Sequence, residues 1–117
     1  MTSPVIPPSL PIALEEACAL AVEHWRLKRL GERAGSGDEG AGLRHAVRCI
    51  AAILESLGIS SLDFAGRTYD PGMAPEVVEA REDAGLSPGQ TVVEETIAPT
   101  IMWNGHVVAP GQIVVKR

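Results

Sequence analysis

The chemistry open to this chain rests on a short set of side chains. His45 and Cys49 stand four positions apart, which on a helix puts both on one face, and Cys18 and His24 fall on a neighbouring helical pattern. Imidazole and thiolate donors in that arrangement suit a zinc-class cation. Such sites normally show tighter paired spacing, so buried, reduced thiols and half-exposed histidines are expected, and no metal ligand is assigned. Asp70 has the type of a catalytic carboxylate, but an Asp before a Pro, here Pro71, more often opens a turn. Glu76, Glu79, Glu82 and Asp83 form an acidic cluster that a basic partner would meet, and a solvated helix face accounts for them more simply. No His, Cys or carboxylate constellation falls on a loop, which argues against an enzyme; no catalytic residue and no cofactor are expected.

The elements that must position these groups follow from composition and pattern. At 117 residues the chain is one domain's worth, with room for a small subdomain. A net charge of -5 argues against a nucleic-acid binder, since phosphate contacts need a basic face. No apolar run approaches the roughly 20 residues that span a bilayer, and Met1-Thr2-Ser3-Pro4 lacks the basic start of a secretion signal, so a cytoplasmic location is expected. One Phe, one Tyr and two Trp leave a core that must be mainly aliphatic, and chains with so thin a core often lean on a partner subunit.

Pro4, Pro7, Pro8 and Pro11 make residues 1–11 a loose arm that cannot be helical. Ile12 to Leu30 reads as a helix, with Ser9 as its N-cap and Pro11 near its first turn. Leu14, Cys18, Ala21 and Trp25 form one apolar stripe, and Leu20, Leu27 and Leu30 a second, so this helix should meet more than one neighbour. Five glycines among residues 31–42 predict a flexible linker. It is no phosphate-cradling loop, because no strand precedes it and the Lys and Ser/Thr that would follow are missing. Leu43 to Leu57 is the clearest helix, ended by Gly58. Its seam of Leu43, Val47, Ile50, Leu54 and Leu57, widened by Ala46 and Ile53, suits helices packed at a shallow angle. One helix pair cannot close a core alone, whereas two copies can, as a four-helix bundle across a dimer axis. Residues 12–58 are therefore read as a helical dimerisation region.

Beyond Gly58 the period changes, and residues 59–117 read as a small β unit. Ala65-Gly66, Asp70-Pro71 and Ser87-Pro88-Gly89 predict turns, Arg67 to Tyr69 and Thr91 to Ile97 predict strands, and Pro75 to Glu82 predicts a brief helix. Asn104-Gly105 between apolar runs is a strong hairpin signal, since both residues tolerate positive φ. Pro110-Gly111 interrupts the arm that follows, which predicts a bulge or a crossing from one small sheet to another. Trp103 beside the hairpin is read either as a core residue of this unit or as an exposed anchor for a partner. Ile97 and Val115 carry the same two readings.

The order of these parts is helix, a helix ending at Leu57-Gly58, Tyr69-Asp70-Pro71, Pro88-Gly89, Val92-Val93-Glu94-Glu95, and the run from Trp103 to Val115. Over residues 43–117 it resembles the C-terminal half of the GrpE family, the nucleotide-exchange factors of DnaK-type heat-shock chaperones. The resemblance implies an α+β fold in which a helix pair builds a dimeric four-helix bundle and a compact β domain follows as a wing. The wing would insert against one lobe of the chaperone's ATPase domain, hold its cleft open and promote ADP release in the stress response, with no catalytic side chain. By linkage, ADP must then weaken exchange-factor binding by the factor by which the exchange factor weakens ADP binding.

Carried over by position, the resemblance implies a partner surface of Ile97, Trp103, Asn104, Gly105, His106, Ala109 and Val115, and a homodimer interface of Leu43, Val47, Ile50, Leu54 and Leu57. The family commonly has arginines at the positions of His106 and Ala109, a Gly-Tyr at Thr100-Ile101 and a His at Ala74. Loss of an arginine–carboxylate hydrogen bond removes about 1.5 to 3 kcal/mol, up to roughly a hundredfold in affinity. His106 replaces part of it only when protonated. Ile12 to Leu30 is also too short for the family's long helical stalk. An alternative is therefore implied: a dimeric adaptor that keeps the fold and has lost exchange activity.

Overall fold

The computed structural model describes residues 9–117. Positions 1–8 of the expected proline-rich arm lie outside the described residues; 9–11 are exposed and outside any helix or strand. Helix α1 spans Leu14–Arg33 and helix α2 spans Asp38–Ser56. The α1 N-cap is Ala13, with no capping side chain, so Ser9 does not cap it. Ala13 is extended, and Glu15 and Glu16 complement the dipole in the first turn that follows it.

The expected linker is largely absorbed into the helices: α1 continues through Gly31 to Arg33, α2 starts at Asp38, and only residues 34–37 connect them. Close approach is the reason. A Cβ on Gly40 would stand 2.2 Å from the carbonyl oxygen of Gly35, so the turn closes only over a glycine. Arg44 Nη1 then donates to the carbonyls of Gly31 (3.5 Å) and Gly35 (3.4 Å), supplying orphaned carbonyls at the end of α1 with a partner.

Six strands follow: β1 (Ile59–Leu62), β2 (Glu76–Arg81), β3 (Val92–Ala98), β4 (Thr100–Trp103), β5 (His106–Ala109) and β6 (Gln112–Lys116). They form two three-stranded sheets, ordered β1-β4-β5 and β2-β6-β3. The first is antiparallel; in the second, β6 pairs parallel with β2 and antiparallel with β3. The chain passes between the sheets at Pro99 and again at Pro110-Gly111, as the second proline-glycine interruption predicts. The two crossings press together: Thr100 Oγ1 donates to the Pro110 carbonyl at 2.7 Å. A Cβ on Gly111, whose φ is +79°, would lie 2.7 Å from the carbonyl oxygen of Ala98.

The expected helix over Pro75 to Glu82 is instead a strand. Glu76 N donates to the Gly111 carbonyl at 3.0 Å, β2 continues parallel to β6, and Val77 packs on the second core. That tertiary ladder overrides the acidic, helix-like start of the segment. Arg67 to Tyr69 contributes a single bridge, Thr68 to Val92, rather than a full strand. The turns at Ala65-Gly66, Asp70-Pro71 and Ser87-Pro88-Gly89 form as expected, closed by Arg67 N to Phe64 O, Met73 N to Asp70 O and Gln90 N to Ser87 O.

Two aliphatic cores result. Ala17, Ala21, Leu54, Ile59 and Ile101 join the helices to the first sheet, and Val93, Ile113 and Val115 sit under Phe64, Tyr69 and Val77 in the second. The helix pair thus closes its core against β1 and β4 of its own chain. The architecture is α+β, a helix pair followed by a small β head. Among the described residues no helix is long and apolar enough to cross a membrane.

Candidate functional site: the hairpin tip and the junction groove

Asn104 (φ +49°) and Gly105 (φ +83°) make the two-residue turn between β4 and β5, in the left-handed conformations a type I′ turn needs. The tip is fixed to the end of α2: Asn104 N donates to the Gly58 carbonyl at 2.9 Å. Gly58 has φ +76°, and a Cβ there would stand 2.1 Å from Asn104 Oδ1. Gly58 therefore ends the helix and also makes room for the hairpin, a second role that helix-capping patterns do not reveal.

Beside this contact lies an open groove of about 300 Å³ lined by Ile12, Leu14, Ala17, Leu57, Ile59 and Trp103. Among the described residues no titratable side chain lines it, so its chemistry is apolar contact, with Trp103 as the largest group on its wall. Trp103 is 42% exposed, which sets it between the two readings: it flanks the groove with one part and meets solvent with the rest. His106, paired across the hairpin from Trp103, is exposed, as are Asn104 and Gly105.

The other expected surface residues do not all join the tip. Val115 is 2% exposed, at the centre of the second core, so it is not a surface residue. Phe64, Tyr69 and Val77 pack against it and its neighbours Val93 and Ile113, which covers the side chain on that face of the sheet. Ala109 is half-buried against the first core. Ile97 is 42% exposed but belongs to β3 in the other sheet, near the Pro99 crossing. Within the expected dimer seam, Val47 and Leu54 are buried in the chain's own core, Leu43 and Ile50 are half-buried, and Leu57 lines the junction groove. The seam is therefore mostly occupied within the chain, because α1 and β1 supply the neighbours it needs. Apolar side chains left uncovered on the helices include Leu20, Leu30 and Ile53.

A polar cluster ties α1 to the head. Asp63 accepts hydrogen bonds from Trp25 Nε1 (3.1 Å), Thr96 Oγ1 (2.6 Å) and Ala65 N (3.0 Å). Arg29 lies over the Trp25 ring, 4.7 Å from its centroid, and donates to the Thr96 carbonyl at 3.3 Å. Burial alone pushes the Asp63 carboxyl up, but the hydrogen bonds from Thr96, Ala65 and Trp25, with the Arg29 charge, outweigh it and hold the group below its ordinary value. Sequence reading passes over Asp63, and its only local mark is an acidic residue closing a strand.

The remaining chemical candidates resolve separately. Asp70 Oδ1 accepts from Gly72 N at 2.9 Å within its turn. Glu79 pairs with Arg81 at 3.2 Å and Asp83 with Lys116 at 3.7 Å, so the acidic cluster lies on and beyond an exposed strand, not on a helix face. His24 Nε2 bonds the Val47 carbonyl at 3.1 Å between the helices. Cys18 is partly buried, which pushes its thiol up, whereas Cys49 is exposed and contradicts the expectation of two buried thiols. Its Sγ stands 3.6 Å from His45 Nε2. Among the described residues no three His, Cys, Asp or Glu side chains converge as a metal-binding group.

No protein-family model matches the chain, and no curated protein matches it.

Proposed function

We propose that this protein is a GrpE-like co-chaperone, whose head binds the ATPase domain of a DnaK-type chaperone and promotes ADP release. The observation that carries the reading is the exposed hairpin on Asn104-Gly105, at the edge of the first of two small sheets that follow a helix pair, with its tip fixed to the end of the second helix. That is the order of parts on which the resemblance rests. Contact falls to Trp103, Asn104, Gly105 and His106 at the tip, with Ile97 as a second, separate point; Val115 takes no part. The helices pair with a second copy through what the chain leaves uncovered, Leu20 and Leu30 on α1 and Ile53 on α2. Its place of action is the cytoplasm.

The adaptor reading is favoured by one feature: the groove beside the tip is apolar, and neither His106 nor Ala109 offers the arginine expected of an exchange surface. The release rate of a fluorescent ADP analogue from a DnaK-type chaperone, with and without this protein, separates the two. Exchange activity predicts an acceleration that falls in Trp103→Ala and Ile97→Asp. No acceleration by a folded dimer, across the chaperones of the same organism, overturns it and leaves the adaptor.

A further inference from the structure

We infer that His45 and Cys49 form a two-donor site for a zinc-class transition cation on the outer face of α2. Their side chains are exposed and four residues apart on one helix, which holds them side by side without help from the rest of the fold. Cys49 Sγ and His45 Nε2 are 3.6 Å apart. A tetrahedral zinc ion with bonds of about 2.3 Å to sulfur and about 2.05 Å to nitrogen needs its two donors about 3.5 Å apart. The pair already has that spacing, so an ion enters with little movement of either side chain.

The neighbouring candidates are committed elsewhere, which restricts the site to this pair. Cys18 packs against the helix–sheet core, and the Nε2 of His24 is bonded to the Val47 carbonyl. The pair supplies two of four coordination positions, and water fills the rest. On binding, the Cys49 thiol releases its proton to solvent and coordinates as thiolate. His45 coordinates through the Nε2 lone pair with its proton on Nδ1, the tautomer in which Nε2 accepts from the thiol in the free protein. A second donor on the same helix acts at an effective concentration set by its tether, so the pair binds far more tightly than a lone surface thiol. This site is independent of the exchange reading, since it uses no residue of the hairpin tip.

Cobalt(II) is the probe, because thiolate coordination to it produces an ultraviolet charge-transfer band. Titration of the reduced full chain with cobalt is expected to produce that band at one ion per chain, and zinc to abolish it by displacement. Cys49→Ser should remove the band although Cys18 remains, and His45→Ala should weaken binding by roughly a hundredfold through loss of the tethered second donor. Circular dichroism checks that both variants fold, as substitutions on an exposed helix face should permit. Absence of the band at millimolar cobalt overturns the site. So does a band that survives in Cys49→Ser, or an affinity unchanged in His45→Ala, which would mark a lone thiol.

Discussion

Replacing Asp63 by Ala tests whether the head is fixed to the helices by a charged hydrogen-bond cluster. The substitution strips partners from Trp25 Nε1 and Thr96 Oγ1, whose residues are 7% and 4% exposed, and from the less buried Ala65 N–H. An orphaned buried donor costs about 1 to 3 kcal/mol. Asp63 itself is open enough for water to reach the vacated space, which keeps each cost near the lower bound, so the total comes to about 2 to 3 kcal/mol. For a domain of this size that lowers Tm by roughly 8 to 12 °C. Asp63→Asn should lie between wild type and Asp63→Ala, since an amide oxygen can still accept from Thr96 while its NH2 opposes the Trp25 N–H.

Urea unfolding followed by tryptophan fluorescence reads this directly, because Trp25 is in the cluster and Trp103 is at the hairpin. The pH dependence has a fixed sign. The folded Asp63 carboxyl sits below its ordinary value of 3.8, so its contribution is full above that value and is lost as pH falls through the lower folded one. The gap between wild type and Asp63→Ala should therefore be constant near neutrality and narrow in acid. A gap under about 0.5 kcal/mol at pH 7, the range of an ordinary surface change, would refute the reasoning. So would a full gap that persists unchanged in acid, since the carboxylate charge would then play no part.

Gly58→Ala should cost about 1 to 3 kcal/mol, because it forces a side chain into left-handed backbone and against Asn104, and a thermal melt that stays at the wild-type Tm would show the junction to be loose. On the proposed exchange reading, Trp103→Ala should leave urea stability within about 1 kcal/mol yet weaken binding to a chaperone ATPase domain by about 2 kcal/mol, roughly thirtyfold, in fluorescence polarisation. His106→Arg should tighten that binding by up to roughly a hundredfold, while Ala109→Arg, placed against the first core, should lower stability with no gain in affinity; the opposite pattern would put the contact face on the wrong side of β5.

What the sequence discloses is mostly local. The hairpin at Asn104-Gly105, the Gly58 stop and the crossing at Pro110-Gly111 each depend on backbone conformations that few residues adopt, so the residue types announce them. The strand at Glu76–Arg81 and the helical ends of the glycine-rich stretch are decided at a distance. One follows from a parallel ladder to β6, the other from the approach of Gly40 to Gly35, and neither leaves a local pattern. The same division holds at the candidate site. Trp103 and His106 follow from the hairpin, but the groove gathers Ile12 from the lead-in to α1, Leu57 from the cap of α2 and Ile59 from β1, and apolar periodicity alone cannot say which neighbour an apolar face will meet.

That ambiguity bears on how the two halves of the molecule work together. Periodicity along α2 asks for a neighbour, and α1 and then strand β1 answer first, within the same chain. A second copy is left the outer faces, which carry Leu20, Leu30 and Ile53, so pairing of two chains would not need to disturb the core that positions the hairpin. The tip is tied to the end of α2 through Asn104 and Gly58, and the other sheet is tied to α1 through Asp63, Trp25 and Thr96. Head and helices are thus held at two points on different sheets, which opposes rotation of the head as well as its separation. A partner that levers on Trp103 would therefore push against the helix pair, not against a freely swinging domain. Loosening the Asp63 tie should accordingly weaken any mechanical effect on that partner more than it weakens binding at the tip.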